Sequence, residues 1–319
     1  MGKMSRIFFV TDVHGSDRCF RKFINSAKFY KAQHIILGGD ITGKVMIPIV
    51  ESGNGTWQAD YLGEMKNFKK ESEVDEFTKM LGDTGIYWLR VSKKELEDIQ
   101  GDKSKVDAEF DLAMKNSLER WLKLAEERLK GTDATCYISV GNDDDLIVDD
   151  VLKANTFEKV VFCEEKNVSI DGHEMISFGT TNRTPWNSPR EVDEDQLKKK
   201  LEELTSLLKE PGNSIFSVHV PPINSGLDTA PKIDANFKPV ISGGQAVMIA
   251  AGSSAVRELI EKSQPLVGLH GHIHESRGIC KLGRTVCINP GSEYGQGILR
   301  GAIVDLEPNK ICDYLLVSG

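Results

Sequence analysis

No apolar run in the 319-residue sequence approaches the roughly 18 residues that a membrane-spanning helix needs, so an α-helical span is excluded. There is no Cys-x-x-Cys pair either. The six cysteines, Cys19, Cys136, Cys163, Cys280, Cys287 and Cys312, are scattered, which disfavours a disulfide framework or a cysteine zinc site and leaves free thiols as the expectation. Cys280 and Cys287 alone are spaced to face each other across a hairpin. Positive charge is scarce relative to negative, 40 Lys and Arg against 48 Asp and Glu, and the net charge of −8 disfavours the broad basic surface through which proteins bind nucleic acid. No internal repeat or low-complexity segment occurs. Lys3 and Arg6 precede an apolar run that stops at Asp12, too short for a signal-peptide core, and Arg6 stands where a myristoylation signal has Ser or Thr. The expected location is cytoplasmic, with no membrane partner.

What is present is an ordinary soluble composition, 39% hydrophobic and 28% charged, in a chain long enough for one large α/β unit or two domains. The stretch Ile7-Phe8-Phe9-Val10-Thr11-Asp12-Val13-His14-Gly15-Ser16 organises the rest. Four β-favouring residues run into a carboxylate and an imidazole two positions apart, and a pleated strand points such residues to one side. Gly15 allows a turn and Ser16 can cap a helix, so Asp12 and His14 belong at the C-terminal rim of a sheet, where α/β proteins hold their chemistry. A helical stripe follows at Phe20, Phe23, Ile24 and Ala27. The apolar run His34 to Leu37 then ends in Gly38-Gly39-Asp40, bringing Asp40 beside Asp12 as the second half of a βαβ unit. Gly38-x4-Gly43-Lys44 nearly spells a phosphate-cradling loop, but Val45 stands where that motif needs Ser or Thr.

From about residue 47 to 130 the chain turns polar and reads as a helical insertion, with a turn at Gly53-Asn54-Gly55 and a capping box at Ser72 to Asp75. Its long amphipathic stripe runs from Val106 through Trp121 to Leu129. Such a stretch serves as a cap over a site, a surface for homo-oligomers, or the crossover helices of the fold. Tyr61, Tyr87, Trp88 and Arg90 are expected at solvated or core positions, with contact to a substrate as the alternative. The strand signal resumes at Ala134 to Val140 and delivers Gly141-Asn142-Asp143-Asp144-Asp145; three adjacent acids need a compensating cation or backbone donors. Asp171-Gly172 marks a hairpin, with His173 expected at the surface. The loop from Thr180 to Arg190 offers Asn182 and Arg183 as substrate-binding candidates, since a guanidinium grips two phosphoryl oxygens at once. Ile215 to Val220 carries His219 directly before Pro221-Pro222. Last comes Leu266 to His274, in which His272 and His274 are two apart at a strand end, a density of imidazole that suits a divalent transition metal.

Taken in order, Asp12-x-His14, Gly39-Asp40, Gly141-Asn142, His219 and Gly271-His272-x-His274 resemble the calcineurin-like metallophosphoesterase superfamily, over nearly the whole chain from residue 6 to Asn289-Pro290-Gly291-Ser292. The resemblance implies a single α-β-β-α sandwich of two mixed sheets flanked by helices, with a dinuclear metal centre on the strand-end loops. It implies one cation held by Asp12, His14, Asp40 and His274, and a second by the shared Asp40 with Asn142, His219 and His272. Oxygen and imidazole ligands favour Mn²⁺, with Fe or Zn²⁺ as alternatives. The implied activity is hydrolysis of a phosphomonoester, phosphodiester or phosphoanhydride on a small phosphorylated substrate. A non-enzymatic scaffold of the same fold and a nuclease are the competing readings.

Two departures from the family shape the expectation. The arginine signature of the protein Ser/Thr phosphatases is missing after Asp40, where the chain reads Ile41-Thr42-Gly43-Lys44. The family commonly has a histidine after Gly-Asn that assists the leaving group, and here Asp143 takes its place. Asp143, Asp144 and His270 are therefore the catalytic candidates beside the ligands, with a bracing role as the alternative for His270.

Overall fold

The structure, a computed structural model, describes residues 4–319, so Lys3 lies outside the described residues. Two six-stranded sheets lie face to face. The first runs in the order Lys310–Ser318, Arg300–Glu307, Ser5–Val10, His34–Gly38, Thr135–Ser139, Val160–Phe162; the last four are parallel and the first two antiparallel. The second runs Gly278–Leu282, Thr285–Asn289, Val267–Leu269, Ile215–Val218, His173–Phe178, Asn167–Ile170, with four parallel strands between antiparallel edges. Both sheets are thus mixed.

Strand periodicity explains the layering. Ile7, Phe9 and Ile36 point between the sheets and meet Met175, Ile215, Val267, Leu269 and Ile288, whereas Phe8, Val10, Ile35 and Leu37 point outward. On that outer face lie Phe20, Phe23 and Ile24 of the helix Asp17–Tyr30, with Leu118, Trp121 and Leu122 of the helix Lys103–Leu129. Across the molecule Ile176, Phe178, Phe216 and Val218 are covered by the helices Glu194–Thr205 and Ser254–Ser263 through Leu197, Leu201, Val256 and Ile260. Strands buried on both faces read as continuous apolar runs, which is how they stand in the sequence. Among the described residues no helix is long and apolar enough to cross a membrane.

Three expectations need correction. The segment expected to be helical contains a four-stranded sheet, ordered Glu64–Phe68, Thr56–Tyr61, Val45–Gly53, Ile86–Ser92, over a small core of Ile47, Ile49, Val74, Phe77 and Leu81. Its strands are solvated on one face, so their composition looks polar. The helix Lys103–Leu129 is the crossover to Thr135–Ser139. Ser72 caps nothing: the helix Glu71–Asp83 begins one residue earlier, and Glu73 accepts from the Lys69 and Lys70 amides (2.7 and 3.2 Å). Third, His173 is buried at the start of its strand, its Nδ1 3.1 Å from the Asn213 carbonyl oxygen. Cys280 and Cys287 do stand opposite each other in register, and all six cysteines are free thiols.

Glu164 supplies a stability prediction. One of its oxygens accepts the Gly179 amide (2.7 Å), the other is buried with no partner among the described residues, and burial pushes the carboxyl up to about 8. The folded state therefore holds a proton that the unfolded chain releases near its ordinary value of 4.5. This contribution is fully present below that value and is lost as pH rises through 8, with a slope of at most about 1.4 kcal/mol per pH unit. Denaturant unfolding of Glu164→Gln between pH 5 and 8 should show a flatter dependence than wild type; an unchanged slope would assign it to other groups.

Candidate metal centre

Parallel strands end at the same edge, and both sheets turn that edge to one place. Asp12 and His14 follow Ser5–Val10, Asp40 follows His34–Gly38, and Asn142 follows Thr135–Ser139. From the second sheet, His219 follows Ile215–Val218, and His272 and His274 follow Val267–Leu269. The loops are cross-tied: the Asp12 amide donates to Gly39 O (3.0 Å), His14 to Asp40 O (3.0 Å), and Gly271 to His219 O (2.8 Å). Asp12, His14, Asp40 and His272 all take left-handed backbone, with φ of 55°, 39°, 49° and 69°. Such strain costs about 1–3 kcal/mol a residue and persists where surroundings over-determine it, typically at functional sites. A Cβ at Gly141 would collide with the Asp40 carboxylate, and one at Gly271 with Thr11 and Asp12. Those glycines let the loops close on the ligands.

Within this frame, donor atoms of Asp12, His14, Asp40 and His274 lie within 4.8 Å of one another. His14 Nε2 and His274 Nε2 are 3.0 Å apart, and His274 Nε2 is 3.3 Å from Asp12 Oδ1. On the other side of Asp40, His219 Nε2 stands 3.4 Å from Asp40 Oδ2, and His272 Nδ1 is 2.8 Å from Asn142 Oδ1. These donors suit divalent metal. His219 is held from behind: its Nδ1–H donates to Gly38 O (2.9 Å), which aims Nε2 at Asp40, buried and without a hydrogen-bond partner. A backbone carbonyl holding one ring nitrogen so that the other is free is the usual second support of a metal-bound imidazole.

Charge follows the same geometry. Burial alone would raise Asp12, but His274, His219 and His14 around it hold its carboxyl far below the usual range. Asp40 is pushed up to about 6 by burial, opposed by His219. Without a cation His219 would be lowered by burial but is lifted to about 10 by Asp40, so a metal bound at Nε2 would displace that proton, whereas burial takes His272 down to about 3.

The catalytic and substrate candidates sort differently. Asp143 lies at the rim: its amide donates to Asp40 Oδ1 (3.0 Å), its Oδ1 accepts from Ser188 Oγ (2.5 Å), and its Oδ2 pairs with the Lys44 ammonium. Burial would raise its carboxyl, yet chiefly Lys44 lowers it to about 2. Asp144 is fully buried and accepts the amides of Ile41 (3.0 Å), Thr42 (2.9 Å) and Gly141 (2.9 Å) together with the Thr42 hydroxyl (2.6 Å). It ties two ligand loops together rather than facing a substrate. His270 is likewise turned away: one residue past the strand Val267–Leu269, its Nδ1–H donates to Val218 O (2.8 Å), and its ring lies beside Gly268, whose face also meets Cys287 of the helix-side core. Arg183 is exposed and committed to Asp193 (3.0 Å), and Asn182 lies in a two-residue strand beside Glu191–Val192. Tyr87 is buried with its hydroxyl accepting the Gly43 amide (2.9 Å), Tyr61 packs edge-on against Phe77, and Arg90 pairs with Glu71 and Asp75.

Positioning residues that sequence reading passed over are Asn289, whose amide donates to the Gly271 and Ile273 carbonyls (3.3 and 2.9 Å), and Ser292, which donates to Asp12 O (2.6 Å). Arg190 donates to Asp144 O (2.7 Å) and Asp145 O (2.8 Å), and Tyr294 lies against the His14 ring at 4.7 Å. Lys44 was visible only as part of a failed phosphate-loop motif.

No family model matches the chain. The uncharacterized protein MJ1162 of Methanocaldococcus jannaschii is 33% identical over 130 residues, which is 40% of this chain; the chain spans about half, 52%, of that relative's length. One solved structure superposes with a TM-score of 0.57 at 15% identity over 99% of both chains. The crystal structure of TT1561 of Thermus thermophilus does so with 0.53 at 14%, again over 99% of both. At that identity the likeness is one of fold. The chain shares with those structures an α-β-β-α sandwich of two mixed sheets, the architecture that the resemblance of its motifs implied.

Proposed function

We propose that the chain is a metal-dependent phosphohydrolase acting on a small phosphorylated substrate. The observation that carries this reading is the meeting of carboxylates and imidazoles from both sheets around Asp40, with the buried His219 Nε2 left without a partner. Asp12, His14, Asp40 and His274 would hold one cation and Asp40, Asn142, His219 and His272 the other. Bound there, two divalent ions, manganese by ligand preference and iron or zinc as alternatives, would supply positive charge to phosphoryl oxygens and lower the pKa of a water.

The chain's own groups define the rest. His219 and Asp12 are fixed from behind by Gly38 O and by the His272 amide (3.2 Å), so their donor atoms need no rearrangement. Lys44, half-exposed and raised by Asp40 and Asp143 against the effect of burial, puts a charged donor at the mouth of the site. There it offers a charge-assisted hydrogen bond to a phosphoryl oxygen, the role sequence reasoning gave to Arg183. In hydrolysis the water oxygen bonds to phosphorus, the bond to the leaving oxygen breaks, and that oxygen departs with the electron pair.

Single-turnover assays of metal-reconstituted protein on phosphomonoesters, diesters and anhydrides test the reading; no turnover of any of them would favour a scaffold. Lys44→Met should raise KM for the best substrate roughly 10- to 100-fold, the worth of a hydrogen bond to a charged group, with metal content unchanged. A fall in kcat alone would move Lys44 from capture to chemistry.

A further inference from the structure

Trp186 and Phe237 are 60% and 53% exposed, yet their rings stack on each other at 5.0 Å and 18°, contributed by two separate loops. Single exposed apolar residues are normal, whereas two large aromatic rings left open to solvent side by side are an informative surface feature, because rings of this kind are enriched where proteins bind. Phe237 sits in left-handed backbone, φ 58°, unfavourable for a bulky side chain. The turn that holds it is built by Asp234, which accepts the Asn236 and Lys238 amides on its carboxylate (2.8 and 3.0 Å) and the Phe237 amide on its carbonyl (3.0 Å).

Both loops lead to the metal centre. Two residues beyond Trp186, Ser188 donates to Asp143 Oδ1, and the Asp143 amide donates to Asp40. Two residues of extended chain span at most about 7 Å. The arm that carries Phe237, with strands Thr229–Pro231 and Met248–Ala250, is rooted where Thr229 and Ser276 exchange two hydrogen bonds of 2.8 Å, two residues past His274. The arm therefore starts beside the histidine loop and meets, through Phe237, the loop whose Ser188 braces Asp143, which puts the stacked pair two residues along the chain from that brace.

We propose that Trp186 and Phe237 form a platform for a planar aromatic group of the substrate, a nucleobase or an aryl ring on the leaving-group side of the phosphoryl group held at the metal centre. Their rings leave no gap for insertion, so the ligand stacks on an outer face. This assignment deepens the phosphohydrolase reading and rests on it.

Matched substrates test it. ADP and pyrophosphate offer the same phosphoanhydride bond with and without a ring, and 4-nitrophenyl phosphate and acetyl phosphate pair a ring-bearing with a ring-free good leaving group. Trp186→Ala and Phe237→Ala should raise KM for the ring-bearing member of a pair at least fivefold more than for the other, within the roughly 5- to 100-fold worth of a base–aromatic stack, and Trp186→Phe should restore most of it. A differential for ADP alone assigns the platform to nucleosides, and for 4-nitrophenyl phosphate alone to aryl esters. Equal losses in both members, no loss, or a change in sedimentation that gives the pair to a contact between copies would each overturn it. AMP quenching of tryptophan fluorescence, lost in Trp186→Ala, separates the two claims: quenching in a wild type that hydrolyses nothing keeps the platform and removes the phosphohydrolase.

Discussion

Asp40→Ala should empty both cation positions together and lower hydrolysis by roughly three powers of ten or more, since two metals contribute several kcal/mol of charge stabilisation. Asp40 faces both donor groups: its Oδ2 is 3.7 Å from His14 Nε2 and 3.4 Å from His219 Nε2. Removing it also frees the Asp143 amide, which has Asp40 Oδ1 as its acceptor. His14→Ala, by contrast, removes a donor from one group alone, and should leave about one metal per chain. Elemental analysis after dialysis reads both. Two metals per chain and full activity in Asp40→Ala would sink the shared-ligand arrangement, and one metal in Asp40→Ala would show that the two groups are filled independently.

The second large effect concerns the leaving group. Asp143 stands where the superfamily that the motifs resemble commonly has histidine, and with Lys44 and Ser188 against it, its carboxyl is ionised at neutral pH. An ionised carboxylate has no proton to give a departing alkoxide, and efficient general acids contribute about 10² to 10⁴ in rate. Aryl phosphates and phosphoanhydrides should therefore be hydrolysed far better than alkyl esters, with rate falling steeply as leaving-group pKa rises. Asp143→His should flatten that slope and raise alkyl-ester turnover by up to about 10²-fold. A flat wild-type slope with chemistry rate-limiting would mean another group protonates the leaving oxygen. His270, the first suspect from sequence, is turned into the helix-side core, so the Lys44 ammonium would be the group to test.

The five-part motif was legible because its residues sit at the ends of apolar runs. A run such as Ile7 to Val10 followed by Asp-x-His signals both the strand and where it stops. Asp143 was legible as a departure from the family for the same reason. The insertion was misread because period-two strands with one solvated face, such as Thr56–Tyr61, carry too few apolar residues to separate from helix. Asp144 and His270 were misplaced for a related reason: adjacency to a ligand in sequence says nothing of which way a side chain turns. Asp144 turns to the Ile41, Thr42 and Gly141 amides beneath the loops, and the His270 ring turns back to the Val218 carbonyl.

What the sequence alone determined is the set of continuous apolar runs that make two doubly buried sheets and the order in which carboxylates and imidazoles leave their strands, since both are written along the chain. Only the tertiary structure decided which groups meet. Lys44 reaches Asp143 across 99 residues, Asn289 braces the histidine loop, and Trp186 finds Phe237 on an arm rooted beside His274. Each of these depends on how the ends of separate strands are brought to one edge, and long-range closure of that kind comes from sheet packing rather than from any local run of residues.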